Sequence, residues 1–301
     1  MNYAQLLFPD FSLILCGFLI CRYTALDRGV WEPVERLVYF FLFPVLLFHS
    51  IARTHLDWAA ASELIQAGLC LGVFSVSLTY ALPHLPWLKR YIPLKLHAAS
   101  AQVGFRFNSF IALALADRLA GAQGVLQIAI LIGVCVPLFN VAAVWPMSRH
   151  AQGNFLRELV RNPLIIATTS GLLANVFNLQ IPSWADPSLQ RIGAASLALG
   201  LMAAGAGMAM SSLAKAKTLA VAVLTVRHLA TPLMAWGLSR LMGLTPLQTQ
   251  IFLAFSALPT ASSAYVLASR MGYDGTFVAA LVTLSTLLGM LSLPFALSFV
   301  A

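Results

Sequence analysis

Ten apolar stretches, most close to 20 residues long and joined by short polar connections, leave this chain few ways to fold. They cover residues 4–21, 34–52, 62–82, 96–118, 124–145, 163–180, 189–211, 218–241, 247–269 and 275–300, here segments 1 to 10. About 20 apolar residues in a helix span a bilayer. Inside lipid only helices and closed barrels satisfy their own backbone, and the alternating pattern of barrel strands is missing. Charged residues make up 9% of the chain, where a soluble domain carries about 25%. The sequence predicts an all-α polytopic membrane protein with ten transmembrane helices in a lipid bilayer.

The distribution of Lys and Arg sets the expected orientation. Residues 1–9 hold neither, and Arg22 and Arg28 follow segment 1. A cleaved leader needs a positive start, so segment 1 is expected to be retained with the N-terminus outside. The inner connections then hold twelve basic residues, Arg22 to Arg270, and the outer ones four: Arg53, Arg118, Arg191 and Arg240. Both termini are expected outside and the basic connection 146–162 inside.

That connection divides the segments into five and five. Pro9 and Gly17 in segment 1 match Pro163 and Gly171 in segment 6 at one spacing. Gly121-Ala122-Gln123-Gly124 after segment 4 matches Gly272-Tyr273-Asp274-Gly275 after segment 9. An odd number of helices per half forces the halves into opposite orientations. The expected architecture is two inverted five-helix repeats, residues 1–150 and 151–301, as in many secondary transporters.

Each half has one interrupted segment. In segment 4 Arg106 lies midway along an apolar run, between Gly104 and Asn108. A charge there costs about 2.5–3.5 kcal/mol and by default marks a substrate or ion path. Segment 9 carries Pro259 within Ala257-Leu258-Pro259-Thr260-Ala261-Ser262-Ser263. Proline removes a backbone donor, and the neighbouring hydroxyls can serve the freed carbonyls. Pro44, Pro137, Pro232 and Pro294 read as ordinary kinks. Gly200, Ala203, Ala204 and Gly207 give segment 7 small-residue spacing, which reads as close helix packing.

The stretches Leu7–Leu19, Leu37–Ile51, Arg106–Leu115, Leu197–Ala206 and Leu258–Asp274 resemble the auxin efflux carrier family, including its bacterial malate-permease-like members. Leu258-Pro259-Thr260-Ala261 with Ala264-x-Val266-Leu267-Ala268 is similar to the family's ninth-helix motif, and Asn108 to its fourth-helix asparagine. Ser263 stands where many members carry asparagine, and Ala112 and Ala114 where glycine and proline are common. The resemblance implies a scaffold of segments 1, 2, 6 and 7 and a mobile transport domain of segments 3–5 and 8–10. Segments 4 and 9 would cross at their breaks. It also implies an organic-anion substrate, a homodimer and a bacterial inner (plasma) membrane.

Such a crossing gathers half-helix N-termini, each worth roughly +0.5 charge. Arg106 can grip a carboxylate through two N–H groups. The substrate-binding candidates are therefore Arg106, Asn108, Pro259, Thr260, Ser262 and Ser263. Asp10 and His228 are candidates for coupling to a proton; sodium is the rival coupling ion. The expected function is secondary transport of a small organic anion by alternating access. The alternatives are an anion channel and a sodium-coupled solute symporter. Enzymatic chemistry is not expected, because no H-E-x-x-H, G-x-S-x-G or Walker A pattern occurs. The four cysteines form no C-x-x-C pair, so no metal or cofactor is expected. The net charge of +8 is not gathered with aromatics, and nucleic acid is excluded as a partner.

Overall fold

A computed structural model describes residues 3–53, 58–148, 161, 163–208, 216–261 and 263–300. The described residues are helical and contain no strand. Among the described residues five helices are long and apolar enough to cross a membrane: Arg28–Arg53, Ala61–His84, Gln123–Met147, Lys217–Leu241 and Gly275–Val300. They fall on segments 2, 3, 5, 8 and 10. Segments 1, 6 and 7 contain the helices Tyr3–Tyr23, Pro163–Val176 and Asp186–Ala206.

Local chemistry explains where several helices begin. Asp27 accepts from the Gly29 N–H before segment 2, and Asp274 from the Phe277 N–H before segment 10. Thr245 and Gln248 form a reciprocal capping box at the start of segment 9, followed by Pro246. These side chains satisfy backbone donors that have no partner within the helix.

Two of the prolines do more than bend a helix. A π-helical turn, Val38–Leu42, ends just before Pro44, and a second, Val226–Ala230, ends just before Pro232. A proline lacks the N–H that would close the preceding turn, and a widened turn is one way to absorb the defect. In segment 8 the Thr231 N–H and hydroxyl both donate to the Val226 carbonyl, the hydroxyl at 2.8 Å.

Segment 4 is broken without a proline. Helix Leu94–Ser100 tightens into a 3₁₀ turn, Ala101–Gly104, and residues 105–108 are not helical. Helix Ser109–Ser148 follows, with a kink at Ala120 and Gly121, where Gly121 has φ 54°. Gly104 lets the break press onto segment 3: a Cβ there would lie 2.5 Å from Thr79 Oγ1. In segment 9 helix Pro246–Ser256 ends, residues 257–261 are non-helical, and a new helix runs Ser263–Arg270.

Packing follows two groupings. Segment 1 lies along segment 7, and segment 2 packs on segments 6 and 7. Segment 3 packs on segment 5, the first half of segment 9 on the helix Ser109–Ser148, and its second half on segment 10. Where segments 1 and 7 meet, a Cβ on Gly205 would sit 1.8 Å from the Ile14 carbonyl oxygen. A Cβ on Gly17 would sit 1.9 Å from that of Met202. The closest approach thus rests on Gly17 and Gly205. Gly200 and Ala203 instead line a cavity.

Candidate functional site

The two breaks touch. The Asn108 N–H donates to the Pro259 carbonyl at 2.7 Å. The Thr260 hydroxyl donates to the Val103 carbonyl at 2.7 Å. Gln102 donates through Nε2 to the carbonyls of Ala99 and Ala264, each at 3.0 Å. Backbone groups released by one break are taken up by the other, as buried polar groups require. Phe105 and Phe107 both pack on Phe139, and Phe107 meets Phe255 edge-on at 4.6 Å between ring centres.

Arg106 is buried at the centre of this arrangement. It donates to Gln102 Oε1 at 2.9 Å, to Ser263 Oγ at 3.0 Å and to Asn140 Oδ1 at 3.3 Å. Among the described residues no carboxylate lies within ion-pair distance of it. Its charge is solvated by neutral groups. Asn140 matters for a second reason. Arg106 only donates, so the oxygen of the Asn140 amide must face it and the NH2 must point elsewhere. That Nδ2 is buried and has no hydrogen-bond partner among the described residues, a state that costs about 1–3 kcal/mol.

A cavity opens beside these groups, between segment 2, segment 7 and the breaks. Arg106, Asn108, Asn140 and Ser263 supply its polar wall. Val38, Tyr39, Phe43, Phe107, Phe139 and Ala203 supply much of its apolar wall. Water-sized spheres can centre in about 70 Å³ of it. One water needs roughly 10–15 Å³ on that measure, so the space suits a few waters or a small ligand. The π-helical turn of segment 2 carries Val38 and Tyr39 into this wall.

Glu35 and Tyr265 also line the cavity. Glu35 is bridged to Arg28 at 2.7 and 3.4 Å, and Arg28 also donates to the Tyr265 hydroxyl at 3.2 Å. Arg28 and Tyr265 line a second cleft, with Arg22, so Tyr265 borders both spaces. The bridge ties segment 2 to the second half of segment 9. Elsewhere, Asp186 at the start of segment 7 meets His49 at 2.9 Å and Arg53 at 3.2 Å.

The sequence candidates divide. Arg106, Asn108 and Ser263 stand together on the cavity wall. Asn108 Oδ1 also accepts from the Ile111 N–H at 3.3 Å, capping the second half of segment 4. Pro259 and Thr260 are buried behind the wall; Pro259 lies where a Cβ on Gly289 would come 2.6 Å from its Cγ. Ser262 and the Asp10 side chain lie outside the described residues, as does most of connection 146–162. His228 does not line the cavity. Its ring nitrogens meet Ser285 and Ser292 at 2.8 Å, and these serines reach Thr260 and Ala257 at the segment 9 break.

Four groups escaped sequence reading. Asn140 and Glu35 are polar residues in or beside apolar runs, and that was their available signal. Gln102 stands four residues before Arg106, the spacing of side chains that meet on a helix. Arg227 is an intramembrane charge whose role appears only in three dimensions. It is fully buried, and it donates to the carbonyls of Leu258 at 2.7 Å, Phe255 at 3.4 Å and Phe105 at 3.5 Å.

An uncharacterized transporter of Methanothermobacter thermautotrophicus is 24% identical over 290 residues, covering 94% of this chain and 93% of that protein. Residues 145–297, half of the chain, match the family described as membrane transport protein. With apolar helices long enough to span a bilayer and this match, the chain belongs to the membrane transport protein family, that of the auxin efflux carriers.

Proposed function

We propose that this protein is a secondary transporter that moves a small organic anion, a carboxylate, by alternating access. The observation that carries the reading is Arg106, a buried guanidinium on a cavity wall whose partners among the described residues are all neutral. An intramembrane charge held this way is costly unless a ligand uses it. Arg106, the Asn140 Nδ2 and the neighbouring half-helix N-termini all offer N–H groups, and none offers negative charge. Among the described residues the one carboxylate on the cavity wall is Glu35, and it is engaged by Arg28.

In this reading the ten segments form two inverted repeats, 1–150 and 151–301. Segments 1, 2, 6 and 7 are the scaffold, and segments 3–5 and 8–10 move with the crossing. The packing of segment 1 on 7 and of 2 on 6 and 7 supports that division. The cavity lies where the two groups meet, so sliding one past the other would expose Arg106 to either side.

Counterflow tests the function. Proteoliposomes loaded with one unlabelled anion should accumulate the same labelled anion, across a screen of dicarboxylates, amino acids and indole acids. Uptake that rises linearly with concentration and shows no counterflow would instead support a channel. Thiol labelling of single cysteines tests the orientation: a cysteine near Asp186 should react from outside the cell and one near Gln152 should not.

A further inference from the structure

Crossing-helix transporters commonly hold a coupling Na⁺ in unwound carbonyls and half-helix C-terminal ends. In this chain such carbonyls converge, and a side chain already fills the space between them. The carbonyls of Phe255 and Leu258 lie at the end of the first half of segment 9, and that of Phe105 at the end of the first half of segment 4. All three point at the guanidinium of Arg227. Each half-helix end carries roughly −0.5 charge, so the two together match one cation. No carboxylate lies within ion-pair distance of Arg227 among the described residues. These dipoles are therefore what balance it.

The proline-linked π-helical turn of segment 8 is what delivers the side chain. Arg227 is its second residue, and it reaches both breaks from one position. The result is a division of charge across the crossing. Arg227 neutralises the C-terminal ends behind the cavity, while the N-terminal ends and Arg106 keep positive potential on its wall.

We propose that Arg227 is a tethered substitute for the coupling cation: it fills the carbonyl cluster that would hold Na⁺, so this transporter works without Na⁺. Arg227 is in this sense a positioning residue, fixing two breaks that in other designs require a bound ion. The inference rests on the transporter reading above.

Its test uses no organic anion, so it fails or succeeds apart from the anion assignment. Purified full-length protein is melted in choline chloride and in NaCl at equal ionic strength, and ²²Na⁺ binding is measured by equilibrium dialysis. Wild-type protein and Arg227→Lys should melt alike in both salts and bind no ²²Na⁺. Arg227→Met keeps much of the stem volume but removes the cation. It should melt about 3 °C or more higher in NaCl than in choline, because an ion that binds only the folded state stabilises it by mass action. Stoichiometric ²²Na⁺ binding by wild-type protein would overturn the proposal, and this arm stands even where a variant does not fold. A folded Arg227→Met that ignores Na⁺ would overturn it as well. A merely structural arginine would lower stability in both salts equally.

Discussion

The Asn108 N–H meets the Pro259 carbonyl at 2.7 Å, so two helix breaks separated by 151 residues complete each other's backbone hydrogen bonding. Neither break is a loose end. The Thr260 side chain reinforces the same contact through Val103. Thr260→Val keeps the shape and removes that donor, leaving a buried carbonyl short of a partner. Its expected cost is about 1–3 kcal/mol, seen as a lower apparent melting temperature in detergent. An unchanged melt would mean that Val103 finds another donor.

Helix contact between segments 1 and 7 depends on the absence of a Cβ at Gly17 and at Gly205. Gly205→Ala places a Cβ 1.8 Å from the Ile14 carbonyl oxygen, and backbone cannot step aside as a side chain can. Overpacking typically costs about 1–3 kcal/mol, so a clear drop in melting temperature is expected. Gly237 is the control. None of the described residues lies within 4 Å of a Cβ there, and Gly237→Ala in a helix should be neutral or stabilising by roughly 0.5–1 kcal/mol.

Arg28 links Glu35 and Tyr265, which both line the cavity, and Tyr265 also lines the neighbouring cleft. Tyr265→Phe removes only the hydroxyl that accepts from Arg28. Losing about 1 kcal/mol from a closed state raises the open population roughly fivefold. A cysteine at Ala203, introduced after replacing the four native cysteines, should then react faster with an impermeant thiol reagent from the side nearer Arg28. Equal rates in the two backgrounds would show that this bridge does not gate the cavity.

Asn140→Asp separates anion recognition from folding. A carboxylate in place of the amide would pair with Arg106, which now donates to Asn140 Oδ1 at 3.3 Å. The buried cation then gains a counter-ion and loses its demand for an external one. Melting temperature should hold or rise, while anion affinity falls at least about tenfold, the equivalent of one charge-assisted hydrogen bond. Affinity retained in a folded Asn140→Asp would remove Asn140 and Arg106 from the site together.

How much of this was legible depends on what kind of group carries the role. Arg106 and Pro259 stand out because a charge and an imino acid interrupt apolar runs. Their meeting could be expected from matched positions in the two halves. Thr260 reads as a substrate ligand from its hydroxyl. That this hydroxyl also bonds to a backbone carbonyl has no signal in the sequence, because every residue has one of those. For the same reason no sequence pattern marks the partners of Arg227, which are three carbonyls. Pro44 and Pro232 were legible as kinks. That each widens the preceding turn, placing Tyr39 on the cavity wall and Arg227 behind it, follows from packing that periodicity does not encode.

The central claim is that Arg106 holds the transported anion, and calorimetry on purified protein tests it most directly. The anion giving the strongest counterflow would be titrated into wild-type protein, Arg106→Ala, Arg106→Lys and Arg118→Ala, each checked for folding by gel filtration. Removing the charged donor should cost roughly 1.5–3 kcal/mol of binding, at least tenfold in affinity. Arg106→Lys should recover part of this, since an ammonium lacks the planar fork, and Arg118→Ala should bind as wild type. A folded Arg106→Ala that binds the anion with wild-type affinity would contradict the account.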